Sequence, residues 1–249
     1  MAGQSHIVTV WTMPVDCGLS PEKLASWRAV LSADEVARAE GSYTTMARQS
    51  AIAAHALLRG LLQAIDGRSA TDWKFALTCT GKPEPVGPSD RWIPHCSLTH
   101  TEKLVACAAS EQFPVGIDAE LRGRPVSWAL VTAALAPIEI DLLDSLPAVR
   151  RSETFLRLWT LREAYVKAAN QNLHFPSETF FFKLDPPRIV FDDGSAGTES
   201  DKWRFHAWGA EQHLLSLAVR CRHDAPLTVI KRVVTPDELT FVLDRDDEN

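Results

Sequence analysis

What the sequence lacks narrows the field first. No apolar run approaches the roughly 18 to 20 residues needed to span a bilayer, so no membrane partner is expected. No two cysteines stand in C-x-x-C spacing. The five cysteines, Cys17, Cys79, Cys96, Cys107 and Cys221, are odd in number and scattered. That pattern argues against a zinc site and for reduced thiols in a cytoplasmic protein. The opening residues, MAGQSHIVTVWTMP, hold neither a basic stretch nor a long apolar one, so no secretory signal is read. Basic residues are in deficit as well. The formal net charge is -6, the opposite of the surface that nucleic-acid binding ordinarily requires. A local basic pocket for a phosphorylated ligand is compatible with that balance. The 249 residues, 45% hydrophobic and 23% charged, suffice for one large domain or two small ones.

The periodicities predict an α+β chain. Residues 6–13 read as a strand. Pro21 opens a helix with Ser20 as N-cap, and Ser32-x-x-Glu35 is a capping box for a second short helix. Ala51, Ala54, Leu58, Leu61 and Ile65 recur at helical spacing, which predicts a longer helix over 46–65 ended by Gly67. Strands follow at 73–78, 95–99 and 103–110, with a Gly- and Pro-containing loop over 80–94. The second half repeats the order: a strand at 113–120, helices near 127–135 and 138–145, a long helix over 151–170, then strands at 178–184, 203–208 and 213–220. The stretch Asp192–Asp201 reads as a polar loop and Asp244–Asn249 as a frayed acidic tail. The repeat is one of element order. It suggests an internal duplication, residues 1–112 and 113–249, with a ligand site in the cleft between the halves.

Two segments carry candidate chemistry. In Val115-Gly116-Ile117-Asp118-Ala119-Glu120, strand alternation puts Val115, Ile117 and Ala119 on one face and Gly116, Asp118 and Glu120 on the other. Two carboxylates on one face repel unless a cation lies between them, and magnesium prefers hard oxygen ligands, few of them from protein. The glycine is expected to clear space for a ligand. In Trp159-Thr160-Leu161-Arg162-Glu163-Ala164-Tyr165-Val166-Lys167, Glu163 and Lys167 share a helix face, with Trp159 one turn earlier. Such a face reads either as a surface ion pair or as a holder of metal and phosphate.

Together, the GIDAE segment and the WTLREAYVK segment, with Glu163 45 residues after Asp118, resemble the paired signature of the 4′-phosphopantetheinyl transferases. Length and the two-half order are similar to the monomeric surfactin-type branch, a pseudo-dimer of two α+β halves with the active site in the cleft between them. Thr80-Gly81-Lys82-Pro83 resembles the family's GKP segment, which lies against the adenine of coenzyme A. Ser97-Leu98-Thr99-His100-Thr101 resembles the segment whose hydroxyl and histidine contact the 3′-phosphate. Arg38 and Arg48 fall where basic residues meet that phosphate, and Arg59 ends a similar helix, although it could equally pair with an acid. Pro137-Ile138-Glu139 resembles an acidic helix start, and a first-turn carboxylate favoured by the helix dipole is the preferred reading of Glu139. His55 is read as a packed histidine.

The resemblance implies Asp118, Glu163 and Glu120 as magnesium ligands, and Glu163 and Lys167 as catalytic. It implies Arg38, Arg48, Arg59, Gly81, Lys82, Pro83, Thr99, His100, Arg162 and Lys167 as contacts to coenzyme A. It further implies an acyl or peptidyl carrier protein as acceptor. Arg162 stands where the family has lysine, so a phosphate contact is expected to survive there and proton transfer is not. Thr99 replaces a serine and keeps the hydroxyl; Cys96 or Ser97 stands where asparagine is common; Glu35 and Gly41-Ser42 also depart from the pattern. The proton acceptor is either Glu163 or a metal-bound water. The same acids would also suit a magnesium-dependent hydrolase of nucleotide pyrophosphates or a non-catalytic binding module.

Overall fold

A computed structural model describes residues 5–15, 19–87, 93–171, 179–191 and 199–241. In the first part of the chain β1 (His6–Pro14) leads to α1 (Pro21–Ala29), α2 (Ala33–Glu40), α3 (Thr45–Asp66), β2 (Lys74–Leu77), β3 (Pro83–Val86), β4 (His95–His100) and β5 (Leu104–Ser110). In the second, β6 (Val115–Leu121) leads to α4 (Trp128–Ala134), α5 (Pro137–Ser145), α6 (Ala148–Ala169), β7 (Phe180–Leu184), β8 (Pro187–Phe191), β9 (Arg204–Ala210), β10 (His213–Val219) and β11 (Leu227–Val233). No helix among the described residues is long and apolar enough to cross a membrane.

The local signals work as the sequence suggests. The Ser20 hydroxyl accepts from the Lys23 amide, Ser32 and Glu35 close a capping box, and Gly67, at φ 79°, ends α3 in the left-handed conformation that glycine adopts without steric cost. The loop expected over 80–94 contains a short strand, β3, whose two prolines conceal it. Strands β8 and β11 were not expected. The start of the strand expected at 178, much of the loop Asp192–Asp201 and the tail from Asp244 lie outside the described residues.

Two sheets form the middle of the molecule. One has strand order β11-β1-β5-β4, the other β6-β10-β9. Period-2 alternation gives β5 two buried faces. Val105, Cys107 and Ala109 join α3 and the inner residues of β1, while Leu104, Ala106 and Ala108 face Ile117, Ala119, Leu215 and Leu217 of the other sheet. Helix α3 covers the outer face of the first sheet through Ala54, Leu57, Leu58 and Leu61. Helix α6 covers the second through Leu158, Leu161 and Ala164. The sheets also meet edge to edge where β4 lies against β6, and there the Ile117 amide donates to Ser97 Oγ at 3.1 Å.

Both long helices have 22 residues, and each holds a buried arginine against a glutamate in the first turn of the preceding short helix. Arg59 donates twice to Glu35, at 2.8 and 2.7 Å; Arg162 pairs with Glu139. Each arginine also lies over a phenylalanine ring, Phe75 and Phe180 respectively. The division expected after residue 112 does not describe the C-terminal end. β11 runs parallel to β1, and Trp27 Nε1 donates to the Leu239 carbonyl at 3.1 Å, so the segment from Leu227 to Phe241 belongs with the first sheet.

Candidate active site

The centre of the site follows from one close approach. A Cβ on Gly116 would sit 2.0 Å from the Ala164 carbonyl oxygen and 2.6 Å from the Ala168 amide nitrogen. Glycine therefore lets α6 settle onto β6, rather than clearing room for a ligand as the sequence suggested. The same strand face carries Asp118, which meets Lys167 of α6: Nζ donates to Asp118 Oδ1 at 2.7 Å and to the Ile117 carbonyl at 3.2 Å. Thr99 of β4 donates to the same Oδ1 at 3.1 Å. Asp118 Oδ2 is enclosed and has no partner among the described residues. Glu163 lies one turn before Lys167. Burial, and next the charge of Asp118, push its carboxyl up to about 7, with Lys167 opposing and Glu120 adding. Burial and then Asp118 raise the Glu120 pKa also, but Glu120 is drawn to Arg124 at 2.7 Å and accepts from Trp159.

These groups line a cleft. One lobe, about 470 Å³, is bounded by Gly81, Lys82, Pro83, Lys167 and Gln171; the other, about 440 Å³, by Glu120, Leu121, Arg124, Trp159 and His213. Thr99, His100, Asp118 and Glu163 line both. Gly81 adopts φ 80° in a turn closed by Gly81 N to Thr78 O at 2.9 Å. Thr80 Oγ1 ties that turn to Asn170, the cap of α6, at 3.1 Å. Lys82 Nζ points to the Val115 carbonyl at 3.3 Å, and burial lowers its pKa. A larger cavity of about 630 Å³ lies between α5, α6 and the β7–β8 hairpin and holds none of these acids.

A family model of the 4′-phosphopantetheinyl transferase superfamily matches residues 114–218, from the start of β6 through most of β10. The 4′-phosphopantetheinyl transferase HetI of Nostoc is 34% identical over 68% of this chain and 71% of its own length. The chain belongs to the 4′-phosphopantetheinyl transferase superfamily. It is thus a member of a family of transferases. Two Bacillus members are more distant: Sfp of Bacillus subtilis is 22% identical over 70% of this chain and 76% of its own, and psf-1 of Bacillus pumilus is 24% identical over 76% and 77%.

Within this superfamily member, the cleft gathers Gly81, Lys82, Pro83, Thr99, His100, Asp118, Glu120, Glu163 and Lys167 of the residues marked in the sequence. It does not gather the arginines. Arg59 and Arg162 are 2% and 0% exposed and spend their guanidinium groups on Glu35 and Glu139; for Arg59 this is the acid pairing that stood equal to contact with coenzyme A, and for Arg162 the expected contact is corrected to a core ion pair. Glu139 is itself buried there, beyond a plain first-turn carboxylate. Arg38 and Arg48 are exposed on α2 and at the start of α3, line neither lobe, and Arg48 donates to the Ser42 carbonyl at 2.8 Å. His55 packs as expected, with Nδ1 2.9 Å from Glu35. Arg124 and His213 were missed. Arg124 was legible as the i+4 partner of Glu120; His213, whose Nε2 lies 3.0 Å from Thr101 Oγ1, comes from a distant strand and gave no local signal.

The magnesium set expected from sequence is not assembled. Among the described residues no three His, Cys, Asp or Glu side chains converge as metal ligands, and Glu120 is turned onto Arg124. The donor chemistry nonetheless fits a hard cation: Asp118 presents an unpartnered buried oxygen, and burial, with the charge of Asp118 adding to it, raises the pKa of the neighbouring Glu163.

Proposed function

We propose that the chain transfers the 4′-phosphopantetheine arm of coenzyme A to a serine hydroxyl of an acyl or peptidyl carrier protein and releases adenosine 3′,5′-bisphosphate. The observation that carries this reading is the meeting of Asp118 with Lys167, beside Glu163, in a cleft bordered by the Gly81-Lys82-Pro83 turn. Asp118 and Glu163 would hold magnesium, and Glu120 would join them on leaving Arg124. When bound, the ion neutralises pyrophosphate charge. The Gly81 turn receives the adenine, His100 the 3′-phosphate, and the Lys167 ammonium the pyrophosphate. The serine oxygen forms a bond to the phosphorus carrying the pantetheine arm as the bond to the nucleotide oxygen breaks. Glu163 would take the serine proton, a contribution of about 10² to 10⁴-fold for such a base. Positioning supplies much of the rest.

The paired Glu35–Arg59 and Glu139–Arg162 contacts on helices of equal length support an internal duplication, and so a monomeric, surfactin-type enzyme with its site between two related halves. We place it in the cytoplasm. Mass spectrometry of an apo carrier protein incubated with the chain, coenzyme A and magnesium tests the reading. The carrier is expected to gain one phosphopantetheine, and Asp118→Ala and Glu163→Ala to slow this by at least about a hundredfold. Consumption of coenzyme A with an unmodified carrier would mean hydrolysis instead.

A further inference from the structure

We infer that Thr99 is a positioning residue: its hydroxyl fixes the Asp118 carboxylate by holding Oδ1, which leaves the buried Oδ2 for a cation, and it does not contact the 3′-phosphate. The inference rests on the proposed function and specifies how its acidic centre is held.

Strand alternation separates Thr99 from His100. Cys96 and Leu98 pack on the α3 side of β4, so His100 leaves the strand on that side, while Ser97 and Thr99 leave it on the side facing β6. Both hydroxyls on that side are spent on β6. Ser97 Oγ accepts the Ile117 amide at 3.1 Å, and two residues on Thr99 Oγ1 donates to Asp118 Oδ1 at 3.1 Å. A hydroxyl has one proton, so this donation leaves Thr99 none for a phosphate oxygen. Thr99 is also only 6% exposed, whereas His100 is open to the cleft. As a β-branched side chain it has few rotamers, which suits it to hold a partner in one orientation. Lys167 donates to the same Oδ1 at 2.7 Å. The two donors load one carboxylate oxygen from two elements, β4 and α6, and the other oxygen is buried without a partner. That is the arrangement expected when Oδ2 is reserved for a cation. The threonine thereby ties the first sheet to the acid of the second.

The test uses the whole chain with Thr99→Val, which keeps the shape and loses the donor, and Thr99→Ser, which keeps the donor. Magnesium is titrated calorimetrically in the absence of substrate, and coenzyme A and 3′-dephospho-coenzyme A are titrated separately. Thr99→Val should weaken magnesium about tenfold or more, the fold-change expected for losing a hydrogen bond to a charged group. It should leave the preference for coenzyme A over the dephospho ligand unchanged, and Thr99→Ser should restore magnesium affinity to within about threefold. If Thr99→Val misfolds, Thr99→Ala carries the same comparison without the packed methyl. Wild-type magnesium affinity in the folded donor-less variant, or a selective loss for the ligand with the 3′-phosphate, overturns the inference alone. A wild-type protein that neither binds magnesium nor modifies a carrier overturns the functional reading, and the inference with it.

Discussion

Replacing Gly116 by alanine adds one methyl group at the point where α6 touches β6. The added carbon would lie 2.0, 2.6 and 3.0 Å from the Ala164 oxygen, the Ala168 nitrogen and the Ala164 carbonyl carbon. All three are backbone atoms of a helix whose inner face is core, so no side chain can swing aside. Relief requires α6 to withdraw by about an ångström or more. Overpacking of this kind costs typically about 1 to 3 kcal/mol, and the backbone contacts place Gly116→Ala at the upper end of that range. For a chain of this size about 3 kcal/mol corresponds to a melting temperature lowered by about 6 to 12 °C. The same withdrawal stretches the 2.7 Å contact between Lys167 and Asp118 and displaces Glu163. A misplacement of about 1 Å in an active site costs on the order of a hundredfold in rate. Thermal melts and carrier-modification rates should therefore fall together, even though glycine lacks any group that could take part in the reaction. A variant melting within about 2 °C of the wild type and turning over at a similar rate would refute the account of how the helix and strand bring the acids together.

Arg162→Met leaves Glu139 buried without its partner and should cost about 3 to 5 kcal/mol in urea unfolding, with Glu139→Leu in the same chain recovering a large part of it; Arg59 and Glu35 should behave alike. Burial alone would raise the Glu35 pKa, but hydrogen bonds from His55 and Arg59 hold it well below its ordinary 4.5. Folding thus favours the ionised form, and the stability it adds is present above about pH 4.5 and lost as pH falls. The difference in unfolding free energy between wild type and Glu35→Gln should accordingly shrink from about pH 5 to about pH 3; a constant difference would exclude the linkage. His100→Ala should weaken coenzyme A about tenfold or more while leaving 3′-dephospho-coenzyme A nearly unaffected, by the usual worth of a charge-assisted hydrogen bond. Equal losses for both ligands in calorimetry would remove His100 from the phosphate.

Elements with a strong local period were legible. The helix expected over 46–65 is Thr45–Asp66, and the strand carrying Asp118 and Glu120 is Val115–Leu121. Both have short-range causes: apolar spacing, a cap and a terminal glycine for the helix, and alternation for the strand. The acids were legible because alternation places Asp118 and Glu120 on one face. What sits opposite that face was not, since α6 arrives from a distant part of the chain, and Gly116 was accordingly given the wrong neighbour. The surroundings of Arg59 and Arg162 were not legible for a related reason. A guanidinium in a sequence has the same appearance whether it meets a phosphate or a buried carboxylate, and only the packing of α2 against α3 decides for Arg59. Strand β11 pairs with β1, more than 200 positions earlier in the sequence, a pairing no local rule supplies.

That pairing bears on how the protein is made. Among the described strands β1 leaves the ribosome first and β11 last, and they lie side by side in register from His6 opposite Leu227 to Thr12 opposite Val233. The first sheet cannot be completed before β11 has been synthesised; its outer strand position stays open until then. Long-range parallel pairing of this sort closes slowly. β1 and β11 consequently act as a clasp, and the first sheet reaches its final form only after the stretch carrying Asp118 and Glu163 has emerged.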